Sequence, residues 1–152
     1  MNQNVIKVIL NSAPSFCCIN DAYKETLTIT ANSIEYTCTP ISESNSNPST
    51  YWSYHTNSSN FKVKYNLVAK LAINALNNDL ELLSLSVCDG DEIGVEVIYS
   101  DGSSLSNYYF GSIEQLGILP SEISTMIPKC EDIPPIITIY DELLEDENKE
   151  QT

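Results

Sequence analysis

Apolar and polar residues alternate along much of the first third of the chain. In Glu25–Thr30, Leu27 and Ile29 stand between polar neighbours, which is the two-residue period of a half-buried strand. Ser33–Thr39 alternates in the same way. Asn32 lies in the short break between these segments, and asparagine side chains readily support turns. The sequence therefore predicts a β-hairpin here.

The same reasoning predicts further strands along the chain. They are Asn4–Leu10, Tyr51–Thr56, Leu82–Val87, Glu92–Tyr99, Leu105–Phe110 and, after two prolines, Ile136–Tyr140. Turns around Gly90 and Gly102 separate the three strands that begin at Leu82, because glycine supplies the positive φ that a tight reversal needs. We expect those three strands to form an antiparallel meander. Ser42–Thr50 contains no apolar residue, so it is predicted to be a surface loop.

The spacing of apolar residues changes after the first strands. Asn57–Asn60 offers capping side chains, and the apolar residues of Phe61–Leu76 then recur every three or four positions. This spacing predicts an amphipathic helix laid on a sheet. A short helical stretch after Ser112 and a helix at Pro120–Ile127, with proline in its first turn, are also predicted.

These elements together predict one α+β domain. We expect a single antiparallel sheet of about six strands, with one amphipathic helix packed on it and short C-terminal helices. The domain is predicted to span residues 1–140. Residues 141–152 are predicted to be an acidic tail, because Asp141–Glu150 holds six acids in ten positions.

Charge is distributed unevenly along the chain. Of the 21 acidic residues, 17 lie from Asp79 onward, where the basic residues are Lys129 and Lys149. That part carries a formal charge of −15, whereas residues 1–78 carry +1. Arginine is absent, so the bidentate guanidinium contacts that often grip phosphate are missing. We therefore expect a basic protein partner, such as a nuclease or a toxin, and no direct binding to nucleic acid.

The densest acids inside the predicted domain surround one strand. Glu92 and Glu96 are expected on the face opposite Ile93, Val95 and Val97, with Gly94 between them leaving the backbone accessible. This face is predicted to dock the partner, although a solvated face that uses charge to prevent edge pairing is the open alternative. Tyr51 is expected to point away from the core, opposite Trp52, and tyrosine is common at interfaces. The predicted partner-binding residues are Asp89, Asp91, Glu92, Glu96, Asp101, Asp141, Glu142, Glu145, Asp146 and Tyr51.

The motifs of enzymes and cofactor sites are missing from the sequence. His55 is the single histidine, on the polar side of a predicted strand, and no nucleophile-elbow motif accompanies it. Neither GxGxxG nor GxxxxGK[ST] occurs. The acids from Asp89 to Glu92 do not follow the twelve-residue spacing of an EF-hand. We predict no catalytic, cofactor-binding or metal-binding residue.

Five cysteines, an odd number, are more typical of reduced thiols than of a disulfide framework. The longest early apolar run, Val5–Leu10, is interrupted by Lys7 and is too short for a secretory signal or a membrane span. The sequence therefore predicts a cytoplasmic protein without membrane attachment.

Two classes of function remain open. The first is a small acidic non-catalytic protein that inhibits a basic, nucleic-acid-handling partner, as toxin-immunity proteins and phage anti-defence (anti-CRISPR-like) inhibitors do. The alternative is a small-ligand-binding protein or an enzyme whose pocket the sequence does not reveal. Acidity that serves general solubility is a third interpretation.

Overall fold

A computed structural model describes residues 4–13, 23–41, 49–78, 91–111 and 113–128. The elements are β1 (Val5–Ala13), β2 (Tyr23–Ile29), β3 (Ser33–Pro40), β4 (Thr50–His55), α1 (Ser59–Asn77), β5 (Asp91–Tyr99), β6 (Ser104–Gly111), a 3₁₀ turn (Ile113–Leu116) and α2 (Leu119–Ser124).

The six strands form one sheet in the order β4-β3-β2-β1-β5-β6. All five pairings are antiparallel. β1 lies in the middle of the sheet and joins the β2–β3–β4 meander to the β5–β6 hairpin. The pairing of β1 with β5 brings together two segments 79 to 94 residues apart in the chain, from Ala13 opposite Glu92 to Val5 opposite Tyr99.

The core lies between one face of the sheet and α1. Strand residues such as Val8, Ile29 and Val97 pack there with Phe61 and Val68 of the helix. The cap of α1 is as predicted, because the Ser58 hydroxyl accepts a hydrogen bond from the Phe61 N–H at 3.4 Å. α2 packs against α1 and buries Leu119 and Ile123.

The predicted fold class is confirmed, and the differences lie at element ends. β1 continues to Ala13 rather than stopping at Leu10, because Ser12 pairs with Glu25 on β2 and with Ile93 on β5. α2 ends at Ser124, before the predicted limit of Ile127, and the Ser124 and Thr125 hydroxyls donate to backbone oxygens three residues earlier. Such bonds compete with continued helix.

Several predictions fall outside the described residues. They concern the strands Leu82–Val87 and Ile136–Tyr140, most of the loop Ser42–Thr50, and the acidic tail 141–152.

The face of the sheet opposite α1, called the open face below, has a different character. Within the described ranges, the α1 and α2 helices pack on the core side, and the open-face side chains of β1, β5 and β6 are all half-buried or exposed. They include Ile9, Asn11, Glu92, Glu96 and Tyr108. Glu92 and Glu96 of β5 therefore lie on this face.

Candidate functional site

The acidic residues of β5 lie on the open face because of the strand's alternation. Ile93, Val95 and Val97 are buried in the core, so Glu92 and Glu96 project to the other side, as predicted. Glu92 is exposed and Glu96 is half-buried. The two carboxylates lie on either side of Gly94 along β5.

β6 brings aromatic side chains beside these carboxylates. Phe110 pairs with Glu92, Tyr108 with Gly94 and Ser106 with Glu96. Tyr108 is 54 % exposed and Phe110 is 41 % exposed. Their rings meet edge to face, with centroids 5.9 Å apart and planes at 89°. An exposed aromatic pair next to two carboxylates combines apolar area with charge, a combination common at protein interfaces.

Gly94 forms the floor of a depression on the open face. The depression has a volume of about 410 Å³ and is lined by Asn11, Lys24, Glu92, Glu96 and Tyr108 among others. A Cβ at Gly94 would lie 3.5 Å from the Asn11 Cβ, which is an ordinary van der Waals contact. The absence of a side chain at Gly94 therefore leaves room for at least a methyl group above the strand. The Asn11 carbonyl oxygen accepts a hydrogen bond from the Thr26 hydroxyl at 2.9 Å, which orients its amide nitrogen toward Gly94.

One basic residue shares this depression. Lys24 comes from β2, beyond the β1 strand, and is exposed. Two carboxylates against one ammonium leave the depression acidic. Because Lys24 lies on the β2 side, the acidic character is concentrated toward β5 and β6.

The other predicted partner-binding residues are spread out. Tyr51 is 64 % exposed on the open face, in the same cross-strand row as Gly94. Four strand spacings separate them, about 19 Å. Asp101 lies in the β5–β6 turn, where its carboxylate accepts a hydrogen bond from the Ser103 N–H at 2.9 Å. Asp89, Asp141, Glu142, Glu145 and Asp146 lie outside the described residues.

Asp91 begins β5 and alternates with Glu92. Its side chain is exposed at the opposite end of the strand from Asp101, on the same side as the buried Ile93. Partial desolvation at this position raises the pKa of its carboxyl. Of the predicted residues that the structure describes, Glu92 and Glu96 are therefore the pair brought together on one surface.

A second polar group lies on the core side of the sheet. The Tyr36 hydroxyl donates a hydrogen bond to Glu25 Oε2 at 3.2 Å. Burial, with the nearby Glu25 charge, raises the pKa of both the Tyr36 phenol and the Cys38 thiol. Raised values keep both groups protonated at neutral pH, which is the opposite of what an activated nucleophile needs.

His55 does not approach this group. It is exposed and pairs with Ser33 at one end of β3, whereas Cys38 pairs with Thr50 near the other end, about 17 Å away along the strand. Over the described ranges, no three His, Cys, Asp or Glu side chains are grouped as metal ligands. Neither α1 nor α2 combines the length and apolarity needed to cross a bilayer.

Tyr108, Phe110 and Asn11 also belong to this surface and are not among the residues predicted from the sequence. The alternation of β6, in which Ser104, Ser106, Tyr108 and Phe110 share one side, could have indicated the aromatic pair once the β5–β6 turn was placed. Asn11 and Lys24 required knowledge of which strands are neighbours.

Comparisons with known proteins add no relationship, since no family model, curated protein or solved structure matches the chain.

Proposed function

We propose that this chain is a small acidic, non-catalytic binding protein that inhibits a basic protein in the cytoplasm. The proposed partner is a protein that handles nucleic acid, such as a nuclease or a toxin. Immunity proteins and phage anti-defence inhibitors act on partners of this kind. The observation that carries this proposal is the placement of Glu92 and Glu96 on the open face beside the exposed Tyr108 and Phe110.

Charge supports the choice of a basic partner. The chain carries a formal charge of −14, which attracts a basic surface over several ångströms and repels nucleic acid. Electrostatic attraction of this kind mainly raises the association rate and excludes acidic competitors. A partner that normally binds phosphates would present such a basic surface, so covering it would block the partner's own substrate.

The aromatic side chains supply binding energy that the charges do not. Exposed ion pairs contribute only about 0–1 kcal/mol each, so two carboxylates alone cannot hold a partner. Tyr108 and Phe110 offer apolar area that becomes buried on contact, and aromatic residues dominate the energetics of many interfaces. We therefore expect steering by Glu92 and Glu96 and holding by the two rings.

The test begins with capture of a partner from cell extract and an assay of that partner's own activity. The native chain should inhibit it, and the double variant Glu92→Gln/Glu96→Gln should inhibit it much more weakly. The matched control is Glu122→Lys on α2, which changes the net charge by the same two units on the core side of the sheet. Equal loss of inhibition in both variants would mean that net charge alone matters. No loss in either would overturn the proposed site.

A small-ligand function is the second candidate, and the depression above Gly94 is the observation that favours it. Its volume of about 410 Å³ falls within the range of roughly 300–1,000 Å³ typical of ligand pockets. The lining of two carboxylates and an aromatic ring suits a small organic cation. Titration with a polyamine, followed by calorimetry, would distinguish this function, because a protein inhibitor need not bind the free amine.

A further inference from the structure

Among the strands that the structure describes, β6 is the last at one edge of the sheet. The backbone N–H and C=O groups of successive residues point alternately to the two sides of a strand. The Tyr99 N–H bonds to the Ser103 carbonyl at 2.8 Å, which makes that pair hydrogen-bonded. The alternation of an antiparallel ladder then makes Ser104, Ser106, Tyr108 and Phe110 members of non-hydrogen-bonded pairs with β5. Their N–H and C=O groups therefore point away from β5, toward the outer edge.

One of these outward groups confirms the alternation independently. The Tyr108 N–H donates to the side-chain oxygen of Asn107 at 2.8 Å rather than into the β5 ladder. Within the described ranges, no strand lies outside β6. The outward N–H of Ser106 lies two residues earlier on the same edge.

The sequence of β6 itself contains none of the residues that usually protect an edge strand. Its eight residues include no charged residue and no proline, in a chain with 21 acidic residues. Leu105, Tyr108 and Phe110 are each 38–54 % exposed. Charges, prolines and bulges are what natural sheets place at edges to prevent pairing, and a straight ladder without a register shift joins β6 to β5.

We infer that an extended basic segment of the partner adds to β6 as a further strand, with cationic side chains reaching across Ser106 to Glu96. This inference rests on the proposed function and specifies how the partner is held. Strand addition supplies main-chain hydrogen bonds for affinity, while alternate side chains supply specificity.

The geometry favours a cation at one position of the added strand. A residue opposite Ser106 lies about two strand spacings, roughly 10 Å, from Glu96 at the backbone. Ser106 is small and exposed, so a long side chain can cross it. A lysine or arginine there meets the Glu96 carboxylate, and a neighbour two residues along the same face meets the Tyr108 ring, where a cation also binds well.

Charge decides between a partner segment and a second copy of this chain. Pairing of β6 with β6 of another copy would bring two molecules of charge −14 together with their β5 carboxylates on one continuous surface. Like charges at such a distance oppose association. A basic segment removes that repulsion, so the edge is suited to a basic strand and unsuited to self-pairing.

The experiment uses a defined peptide and four forms of the full chain. The probe is a peptide as long as β6, eight residues, in which arginine and valine alternate and both ends are blocked. A peptide of the same sequence in which every backbone N–H is methylated carries the same charge but cannot pair as a strand. The chains are native, Ser106→Pro, Ser106→Ala and Glu92→Gln/Glu96→Gln. Proline is tolerated at an outward-facing position of an edge strand, so Ser106→Pro should keep the β5–β6 ladder; circular dichroism and thermal unfolding check this.

The expected result is that Ser106→Pro weakens binding at least about tenfold, whereas Ser106→Ala changes it less than about twofold. The N-methylated peptide should bind the native chain as weakly as the unmodified peptide binds Ser106→Pro. Hydrogen exchange gives a second measurement that needs no variant, because the Ser106 N–H should become protected when the peptide is bound.

Each other outcome overturns a defined part of the account. If Ser106→Pro binds like native while Glu92→Gln/Glu96→Gln loses binding, the acidic face stands and strand addition is wrong. If Ser106→Pro loses binding while the Gln variant does not, the edge recognises strands without regard to charge, and the proposed function is wrong. If the native chain dimerises through β6 in sedimentation and Ser106→Pro abolishes the dimer, the occupant is a second copy.

Discussion

Glu96 on β5 lies directly opposite Ser106 on β6, and both side chains reach the open face. The pair is a non-hydrogen-bonded one, in which facing side chains are closest. The carboxylate therefore has only a small hydroxyl-bearing residue between it and the sheet edge. This relationship makes Glu96 accessible to a cation that arrives from outside β6.

Supplying that cation within the chain should have two opposite effects. Ser106→Arg places a guanidinium across from Glu96, and opposite charges in a cross-strand pair stabilise a sheet by about 0.2–1 kcal/mol. The free energy of unfolding in urea should therefore rise slightly, while binding of the basic peptide falls. Ser104→Arg, opposite Ile98, is the control with the same charge change. Equal weakening by both variants would show that Glu96 is not singled out.

Variants at Gly94 distinguish the small-ligand function from the protein-partner function. Its added Cβ would make ordinary contact with Asn11, so Gly94→Ala should change the free energy of unfolding by less than about 0.5 kcal/mol. Gly94→Leu should fill the depression and abolish binding of a small cation. Binding of an extended peptide at the β6 edge should persist in Gly94→Leu. Loss of peptide binding in that variant would place the peptide over Gly94 instead.

Ionisation of Tyr65 should destabilise the fold at alkaline pH. Its hydroxyl donates to the Val5 carbonyl at 2.8 Å, and burial raises its pKa from 10.0 to about 12. A group whose pKa is higher in the folded state stabilises the fold below the unfolded value and loses that contribution as the pH rises through the folded value. The free energy of unfolding should therefore fall between about pH 10 and pH 12.

Tyr65→Phe is the variant that checks this assignment. It should lower the free energy of unfolding at neutral pH by about 1 kcal/mol, the typical value of a lost hydrogen bond. It should also reduce the slope of stability against pH in the alkaline range. The buried Tyr36 phenol, whose pKa is also raised, should maintain part of that slope. An unchanged slope would mean that Tyr65 ionises equally in folded and unfolded chains.

Cys38 should be unreactive in the folded protein. Its thiol is buried and not in a disulfide, and burial raises its pKa, so little of the reactive thiolate forms at neutral pH. Alkylation mapped by mass spectrometry should leave Cys38 unmodified in the folded chain and modify it after unfolding. Unfolding without reductant should expose five free thiols in total. Fewer than five, without air oxidation, would contradict the predicted reduced state.

The sequence predicted what depends on short-range alternation. The period of two around Ile93 and Val95 decided which side of β5 carries Glu92 and Glu96, and the structure agrees. The same rule placed Tyr51 on the outer side of β4. It could not place Tyr51 four strands from Gly94, because strand order depends on contacts between distant segments.

The end of β1 is a second feature that alternation in the sequence could not predict. Asn11 and Ser12 are polar and weaken the apolar alternation, yet both pair with β2 and β5 because a central strand gains ladder hydrogen bonds on both edges. Asn11 consequently lies next to Gly94. One polar residue of the depression, Asn11, thus lies beyond the predicted end of its strand at Leu10.

The central claim is that Glu92 and Glu96 on the open face steer a basic partner, and the association rate against salt tests it most directly. The rate should be measured with the captured partner for the native chain, for Glu92→Gln/Glu96→Gln, for Glu122→Lys and for a chain ending at Tyr140. Raising salt from 0.1 M to 1 M shortens the Debye length from about 10 Å to about 3 Å. We predict that the native rate falls steeply over this range, that the β5 variant associates more slowly with a shallower dependence, and that the Glu122→Lys control behaves like native. A β5 variant that matches the native chain at every salt concentration would contradict the claim, and loss confined to the chain ending at Tyr140 would move the recognition to the tail.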